Sequence, residues 1–224
     1  SDLYARAISI VNPNTFKVTG KIDLSVGNSK FKQHSSEQII EYNNRIFVNC
    51  WSFDNKILVI NGETDKIIDS IEVVKQPSSM IIDCDGILWV LSDGGIESSS
   101  YGSEKPAITK ISTSNLQILK TIRFSDSDSP KELKTNSTKD SIYFINKDIF
   151  KMSVKSDSLP EKAFITAGKR NFYSLYIEKT SDELYVGDAI DYVQEALIYR
   201  YSSNGKQLDS FKAGVNPGWI GEKN

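Results

Sequence analysis

Aromatic, amide and carboxylate side chains are concentrated in long loops of this sequence, and together these residue types can bind a large planar or amphipathic ligand. Rings stack on flat surfaces, while amides and carboxylates fix orientation through hydrogen bonds. The candidates for such a ligand-binding face are Trp51, Phe53, Asn55, Asp93, Tyr101, Asp188, Asp191 and Tyr192. In the alternative interpretation, the rings of Trp51 and Tyr192 fold the loops over the strand ends and bind nothing.

Four aspartates, Asp54, Asp93, Asp148 and Asp188, recur at similar places in the chain. A ring of such carboxylates can bind Ca²⁺ through oxygen ligands. The alternative is that each aspartate is solvated or caps a turn, which is the common role of a loop aspartate.

Other reactive groups are few. His34 is the only histidine; it can act as a general base or metal ligand, but no second histidine or thiolate lies near it in sequence, so we expect an exposed loop histidine. Cys50 and Cys84 belong to opposite ends of strands and are predicted to be free thiols. Catalytic and nucleotide-binding motifs are absent from the sequence. We therefore predict no catalytic residue, no metal ligand, no cofactor and no enzymatic activity.

The elements that position these loops follow from an internal repeat. An apolar stretch ending in a small polar residue recurs five times, and the residue four before each end is always isoleucine, namely Ile8, Ile57, Ile108, Ile149 and Ile198. Their spacing of 41 to 51 residues, with four short β-rich stretches per unit, is typical of the four-stranded antiparallel blade of a β-propeller. A β-sandwich is the rival fold, but it does not predict a phased isoleucine. The predicted class is therefore all-β.

The repeat also predicts segment boundaries within a single β-propeller domain. These are 1–26 as the end of one blade, 35–72, 77–124, 130–166 and 171–214 as complete blades, and 215–224 as a closing C-terminal segment able to supply one more strand. Seven blades at this period need roughly 330 residues. We expect a seven-bladed propeller whose N-terminal blades are missing from this chain; the alternative is a strained five-bladed ring.

The composition and net charge exclude some classes of binding partner. The 224 residues carry a net charge of −2, with 39% hydrophobic and 25% charged residues, as in ordinary globular chains. This charge argues against nucleic acid or an anionic membrane as a general partner, because either favours a basic excess. No apolar run approaches the roughly 18 residues of a membrane-spanning helix.

Four motifs carry a family resemblance. They are VNCWSFDNKILVINGETDK (48–66), LWVLSDGGIESSSYG (88–102), LYVGDAIDYVQEALIYRYSSNGK (184–206) and the tail FKAGVNPGW (211–219). Together they resemble the YncE-like surface-layer β-propellers of gut Bacteroidetes. The resemblance implies a seven-bladed fold and an exported lipoprotein at the cell surface or outer membrane.

Some members of this superfamily capture cobalamin and pass it to an outer-membrane transporter. The resemblance thus implies a non-enzymatic surface propeller that binds a corrinoid or another large nutrient on its loop face. Two alternatives stay open. One is a protein–protein interaction scaffold of the surface layer or of an outer-membrane transporter complex, and the other is a metal-dependent enzyme of the propeller-lactonase type.

Overall fold

The computed structural model describes residues 7–25 and 34–221. These residues form antiparallel strands joined by turns and loops, with no helix among them, which confirms the all-β prediction. A search of the same residues finds no helical segment of the length and apolarity needed to cross a membrane. The chain divides into two compact units: the first contains the described residues up to Ile82 with Gly86–Ser127, and the second contains Asp83–Asp85 with the described residues from Asp128 onward.

The first unit contains three sheets in which each strand pairs with the next along the chain. A two-stranded sheet is formed by β1 (Ala7–Val11) and β2 (Val18–Asp23). A four-stranded sheet follows, with β3 (Ser36–Tyr42), β4 (Arg45–Cys50), β5 (Lys56–Asn61) and β6 (Lys66–Glu72). The third sheet contains β7 (Pro77–Ile82), β8 (Ile87–Ser92), β9 (Ala107–Ser112) and β10 (Ile118–Arg123).

The second unit contains two sheets of the same sequential kind. The three-stranded sheet contains β11 (Lys131–Thr135), β12 (Ser141–Asn146) and β13 (Asp148–Ser153). The four-stranded sheet contains β14 (Phe172–Ile177), β15 (Leu184–Asp188), β16 (Leu197–Tyr201) and β17 (Gln207–Lys212).

The phased isoleucines occupy equivalent positions in the five sheets. All five are buried, and each pairs with an apolar residue of the segment that follows it. The pairs are Ile8 with Ile22, Ile57 with Ile71, Ile108 with Ile122, Ile149 with Ile165, and Ile198 with Phe211. The repeat therefore marks one structural position, at which a strand is paired with the segment that follows it in the chain.

Each unit has its own apolar core. Alternate side chains of β4 enter two different clusters of the first unit: Phe47 packs with Met80 and Val90, whereas Val48 packs with Ile8 and Ile22. A sheet covered on both faces explains why β4 and β5 read as continuous apolar runs. In the second unit, residues of β12, β14 and β15 form one cluster.

Two predicted strands are not formed. The expected fourth strand of the 130–166 segment is reduced to the single bridge between Ile149 and Ile165. The preceding stretch contains Pro160, which has no N–H to donate to a ladder. The C-terminal segment adds no strand over 213–221, and its last residues, 222–224, lie outside the described part, as do residues 1–6 and 26 of the first predicted segment.

Candidate functional site

Two loops of the first unit are joined by a side-chain hydrogen bond. Trp51 directly follows β4 and Asp93 directly follows β8. The indole Nε1 of Trp51 donates to Oδ2 of Asp93 over 2.8 Å. The bond uses the edge of the indole, and the two half-buried side chains hold the loops together.

A ring contact joins the same two loops. The centroids of Phe53 and Tyr101 lie 5.1 Å apart at an interplanar angle of 32°, within the range in which aromatic pairs attract. Phe53 is 37% exposed and Tyr101 is partly exposed. The structure therefore brings together four of the predicted residues, Trp51, Phe53, Asp93 and Tyr101, which we call the aromatic loop pair.

Glycines shape the loop that carries Tyr101. Gly94 has a φ of +86°, and a Cβ there would lie 2.1 Å from the carbonyl oxygen of Glu104. Only glycine allows both this conformation and this close approach. Lys75 fixes the far side of the loop, since its Nζ donates to the carbonyl oxygen of Tyr101 over 2.7 Å.

Burial dominates the electrostatics of Asp93. It raises the pKa of the carboxyl above its ordinary value of 3.8, while hydrogen bonds from the Trp51 indole and the Gly95 backbone act in the opposite direction. The Gly95 N–H donates to Oδ1 over 2.8 Å. Each oxygen of Asp93 thus has one protein donor, and this partner set holds the carboxylate in a fixed orientation.

Asn55 does not join the aromatic loop pair. Its Nδ2 donates to Oε1 of Glu72 over 3.0 Å, and the same glutamate forms a 3.0 Å ion pair with Lys56. These contacts lie between β5 and the end of β6. The side-chain amide of Asn55, predicted to orient a ligand, therefore bonds to a residue of its own sheet.

The predicted aspartates of the second unit hold the backbone of their own loop. Oδ1 of the buried Asp188 accepts from the N–H groups of Asn171 and Ile190, each over 2.9 Å. The exposed Asp191 accepts from Val193 and from Gln194, whose side-chain amide is the main cause of its pKa of about 2. Both carboxylates act as turn caps.

Tyr192 is half exposed and packs edge-to-face on Tyr173, with the centroids 5.7 Å apart. The Nζ of Lys131 lies 5.0 Å from the centroid of the Tyr173 ring, a cation–π distance. Burial lowers the pKa of Lys131. The sequence analysis missed this lysine, because a charged residue at the start of a strand carries no signal that an aromatic ring lies beside it.

His34 is buried, so the expectation of an exposed loop histidine is wrong. Its backbone N–H donates to the carbonyl oxygen of Leu24, and its Nδ1 lies 2.5 Å from Oδ2 of Asp54. Cys50 is also buried beside this pair, and burial, followed by the charge of Asp54, raises the pKa of its thiol well above the usual range. Asp54 is 20 residues from His34 in sequence, so the contact could be found only in three dimensions.

The remaining sequence-derived residues have local roles. Asp148, one of the four recurring aspartates, accepts from the backbone N–H of Ala167 over 2.7 Å. Asp148 and Asp188 therefore hold loop backbone, as the alternative to a Ca²⁺ ring expects, whereas Asp93 also accepts from the Trp51 indole and Asp54 contacts the ring of His34. Both cysteines are free, Cys84 being exposed.

Solved structures share the fold of this chain. It matches hydrazine synthase of Kuenenia stuttgartiensis (TM-score 0.65, 14% identity, 88% of this chain and 57% of that one). It also matches a quinonprotein alcohol dehydrogenase-like protein of Bacteroides thetaiotaomicron (0.60, 21%, 87% and 50%). A third match is a luciferin-regenerating enzyme (0.62, 14%, 95% and 71%).

These likenesses show a β-propeller-like fold. This chain spans 57% and 50% of the length of the first two matched chains. At such identities the likeness concerns the fold alone, because one fold hosts many functions.

No curated protein matches the sequence. A family model does, over residues 4–215, which is nearly the whole chain. The chain therefore belongs to the family described as a domain of unknown function, DUF5074.

Proposed function

We propose that this chain is part of a non-enzymatic β-propeller that captures a large nutrient at the cell surface, with a corrinoid as the candidate ligand. The observation that carries the proposal is the aromatic loop pair. Its two loops are tied by the Trp51–Asp93 hydrogen bond and the Phe53–Tyr101 contact, and its rings stay partly exposed. Binding sites commonly combine exposed rings with a few fixed polar groups on loops that a rigid scaffold supports.

The ligand class follows from the surface that these side chains offer. Partly exposed rings favour a flat, mainly apolar ligand. The carboxylate of Asp93 can accept hydrogen bonds from amide groups at the edge of such a ligand. A corrinoid has such a macrocycle with amide groups around it. The loops are already linked, so little ordering entropy opposes binding.

The finer family placement and the location belong to the same proposal. The four motifs that resemble YncE-like surface-layer propellers support an exported lipoprotein that cooperates with an outer-membrane transporter. The repeat length supports a seven-bladed ring, which has more blades than the five sheets of the described residues. The full reading frame tests both points, since it must encode a lipid-attachment cysteine and further repeats.

Calorimetric titration of cyanocobalamin and other corrinoids into the chain tests the ligand. We expect binding at micromolar concentration, weakened about tenfold or more in Phe53→Ala, because truncation of an aromatic hot spot costs about 2 kcal/mol or more and about 1.4 kcal/mol is already tenfold in Kd. Phe16→Ala is the matched control, since Phe16 is 84% exposed at the β1–β2 turn, outside the aromatic loop pair. Absence of heat with every corrinoid would exclude this ligand class, and equal weakening by both variants would exclude the assigned surface.

A protein partner is the second candidate function, and one feature of the second unit favours it. Ile190, Tyr192 and Val193 are exposed in the loop after β15, Val193 to 77%. Neighbouring exposed apolar side chains are typical of interaction surfaces. A tagged chain should then co-purify with an outer-membrane or surface-layer protein, and Val193→Asp should abolish the association while Ile68→Asp, an exposed control on β6, leaves it intact. Retention of the partner by Val193→Asp would contradict this assignment.

A further inference from the structure

A second group of reactive side chains lies inside the first unit. His34, Cys50 and Asp54 are 3%, 0% and 1% exposed. A nitrogen, the sulfur and a carboxylate oxygen of these three residues all lie within 4.8 Å of one another. This set includes the only histidine of the sequence and one of its two cysteines.

The surroundings make this burial costly. Leu24, Val48 and Leu58 pack in the same cluster as Cys50, and polar or charged groups in apolar surroundings destabilise a fold unless they are paired. The ring of His34 has Asp54 as its partner at 2.5 Å. The Cys50 thiol makes only a long contact of 4.0 Å to the carbonyl oxygen of Val48, and the backbone of Leu58 is its other hydrogen-bond partner.

A fourth polar group lies next to Cys50. Ser36 is its Cα partner across the β3–β4 ladder, and directly opposite residues of an antiparallel pair project to the same face as neighbours. The Oγ of Ser36 is fully buried and has no hydrogen-bond partner among the described residues. Ser92, Thr109 and Ser174 also have buried hydroxyls without a partner, so what distinguishes Ser36 is its position opposite Cys50, from which its Oγ can complete the cluster.

We propose that His34, Cys50 and Asp54, with the hydroxyl of Ser36 as fourth donor, bind one Zn²⁺. Zinc prefers a tetrahedral set of nitrogen, sulfur and oxygen ligands at about 2.0–2.3 Å, and the thiolate disfavours Ca²⁺ and Mg²⁺. Tetrahedral ligands at these lengths are roughly 3.3–3.8 Å apart, so small side-chain movements bring the three groups into place.

Charge balance supports a divalent ion. Cys50 binds as the thiolate and releases its proton to solvent, His34 binds as neutral imidazole, and Asp54 binds as carboxylate. Two negative ligands and one Zn²⁺ give a neutral cluster, which removes most of the cost of burying separate charges.

The proposed ion has a structural role. His34 precedes β3, whereas Cys50 ends β4 and Asp54 lies in the following loop. Bound zinc therefore links the segment that precedes β3 to the loop that carries Trp51 and Phe53. The proposal is independent of which ligand the aromatic loop pair binds.

Metal analysis of the tag-free chain tests the inference. Apo protein should take up one equivalent of Zn²⁺ in competition with a chromophoric chelator, and its melting temperature should rise with Zn²⁺. Co²⁺ should bind at the same site with a thiolate-to-metal charge-transfer band. Cys50→Ala should lose this band and bind Zn²⁺ over 100-fold more weakly, because even loss of a group that only orients a ligand costs about 10–100-fold. Cys84→Ala is the control and should behave as wild type, since Cys84 is exposed and outside the cluster.

The wild-type measurements stand even if Cys50→Ala fails to fold. The proposal is overturned if folded wild-type protein binds well under one equivalent of Zn²⁺, or if Co²⁺ binds without a charge-transfer band. It is also overturned if zinc leaves the melting temperature unchanged; His34 and Asp54 are then only a hydrogen-bonded pair.

Discussion

The hydrogen bond between Trp51 and Asp93 gives a quantitative test of how the aromatic loop pair is held. Trp51→Phe keeps a ring and removes the N–H, so Oδ2 of Asp93 loses a donor at 2.8 Å while Oδ1 keeps the Gly95 N–H. A hydrogen bond to a charged group contributes about 1.5–3 kcal/mol. Asp93 is only partly buried, so water replaces part of the lost bond, and we expect a coupling free energy of about 1–2 kcal/mol.

A double-mutant cycle isolates this quantity. The free energy of unfolding is measured by urea denaturation with circular dichroism for wild type, Trp51→Phe, Asp93→Ala and the double variant. The ring area lost in Trp51→Phe cancels in the cycle. A second cycle of Trp51→Phe with Asn55→Ala is the control and should give no coupling, because Asn55 bonds to Glu72. Coupling below about 0.5 kcal/mol between Trp51 and Asp93 would refute the reasoning, as that is the additivity error for independent sites.

Three further predictions concern the same loops and one hairpin. In a carbon-detected NMR titration, the pKa of Asp93 should lie above 3.8, and it should be higher still in Trp51→Phe, because the indole hydrogen bond lowers it. The contribution of Asp93 to stability therefore falls as the pH rises from 3.8 through the folded pKa. A pKa below 3.8 would contradict this prediction. Gly94→Ala should lower the free energy of unfolding by over about 2 kcal/mol, since it combines left-handed strain with a clash against the Glu104 carbonyl; an unchanged urea midpoint would refute this. Glu178 should titrate with a pKa of about 2, because Ser181 and Thr180 donate hydrogen bonds to its carboxylate. Its stabilising effect is therefore present above pH 4.5 and is lost as the pH falls toward 2. A pKa near 4.5 would show that these hydrogen bonds are absent in solution.

The sheets could be predicted from the sequence because the apolar residues that they bury recur at a regular spacing. Each phased isoleucine is buried by the sheet to which it belongs, so one residue type recurs at one structural position. The prediction was wrong for the strand expected before Phe164, where an apolar ending was present but only Ile165 makes a bridge. An apolar residue shows that a position is buried, whereas a strand also needs consecutive N–H groups free to pair.

The candidate site was predicted only in part, because contacts between loops depend on pairs distant in sequence. Aromatic content selected Trp51 and Tyr101 as candidates, and the structure shows that their loops meet although they are far apart in the chain. The same reasoning could not separate Asp93, which faces an indole, from Asp188, which caps its own loop. His34 was placed at the surface because loops usually are, yet Asp54 makes its burial tolerable.

Differences between the repeats indicate where function is to be sought. In the four sheets of three or four strands, the second strand ends at Cys50, Ser92, Asn146 or Asp188. Asn146 and Asp188 accept a backbone N–H from the loop before their own sheet, at Ser129 and Asn171, and so close that loop locally. The sulfur of Cys50 is a much weaker acceptor than an amide or carboxylate oxygen. In the repeat that contains Cys50, the buried contact between His34 and Asp54 instead links the segment before the sheet to the loop after β4, the loop that carries Trp51 and Phe53.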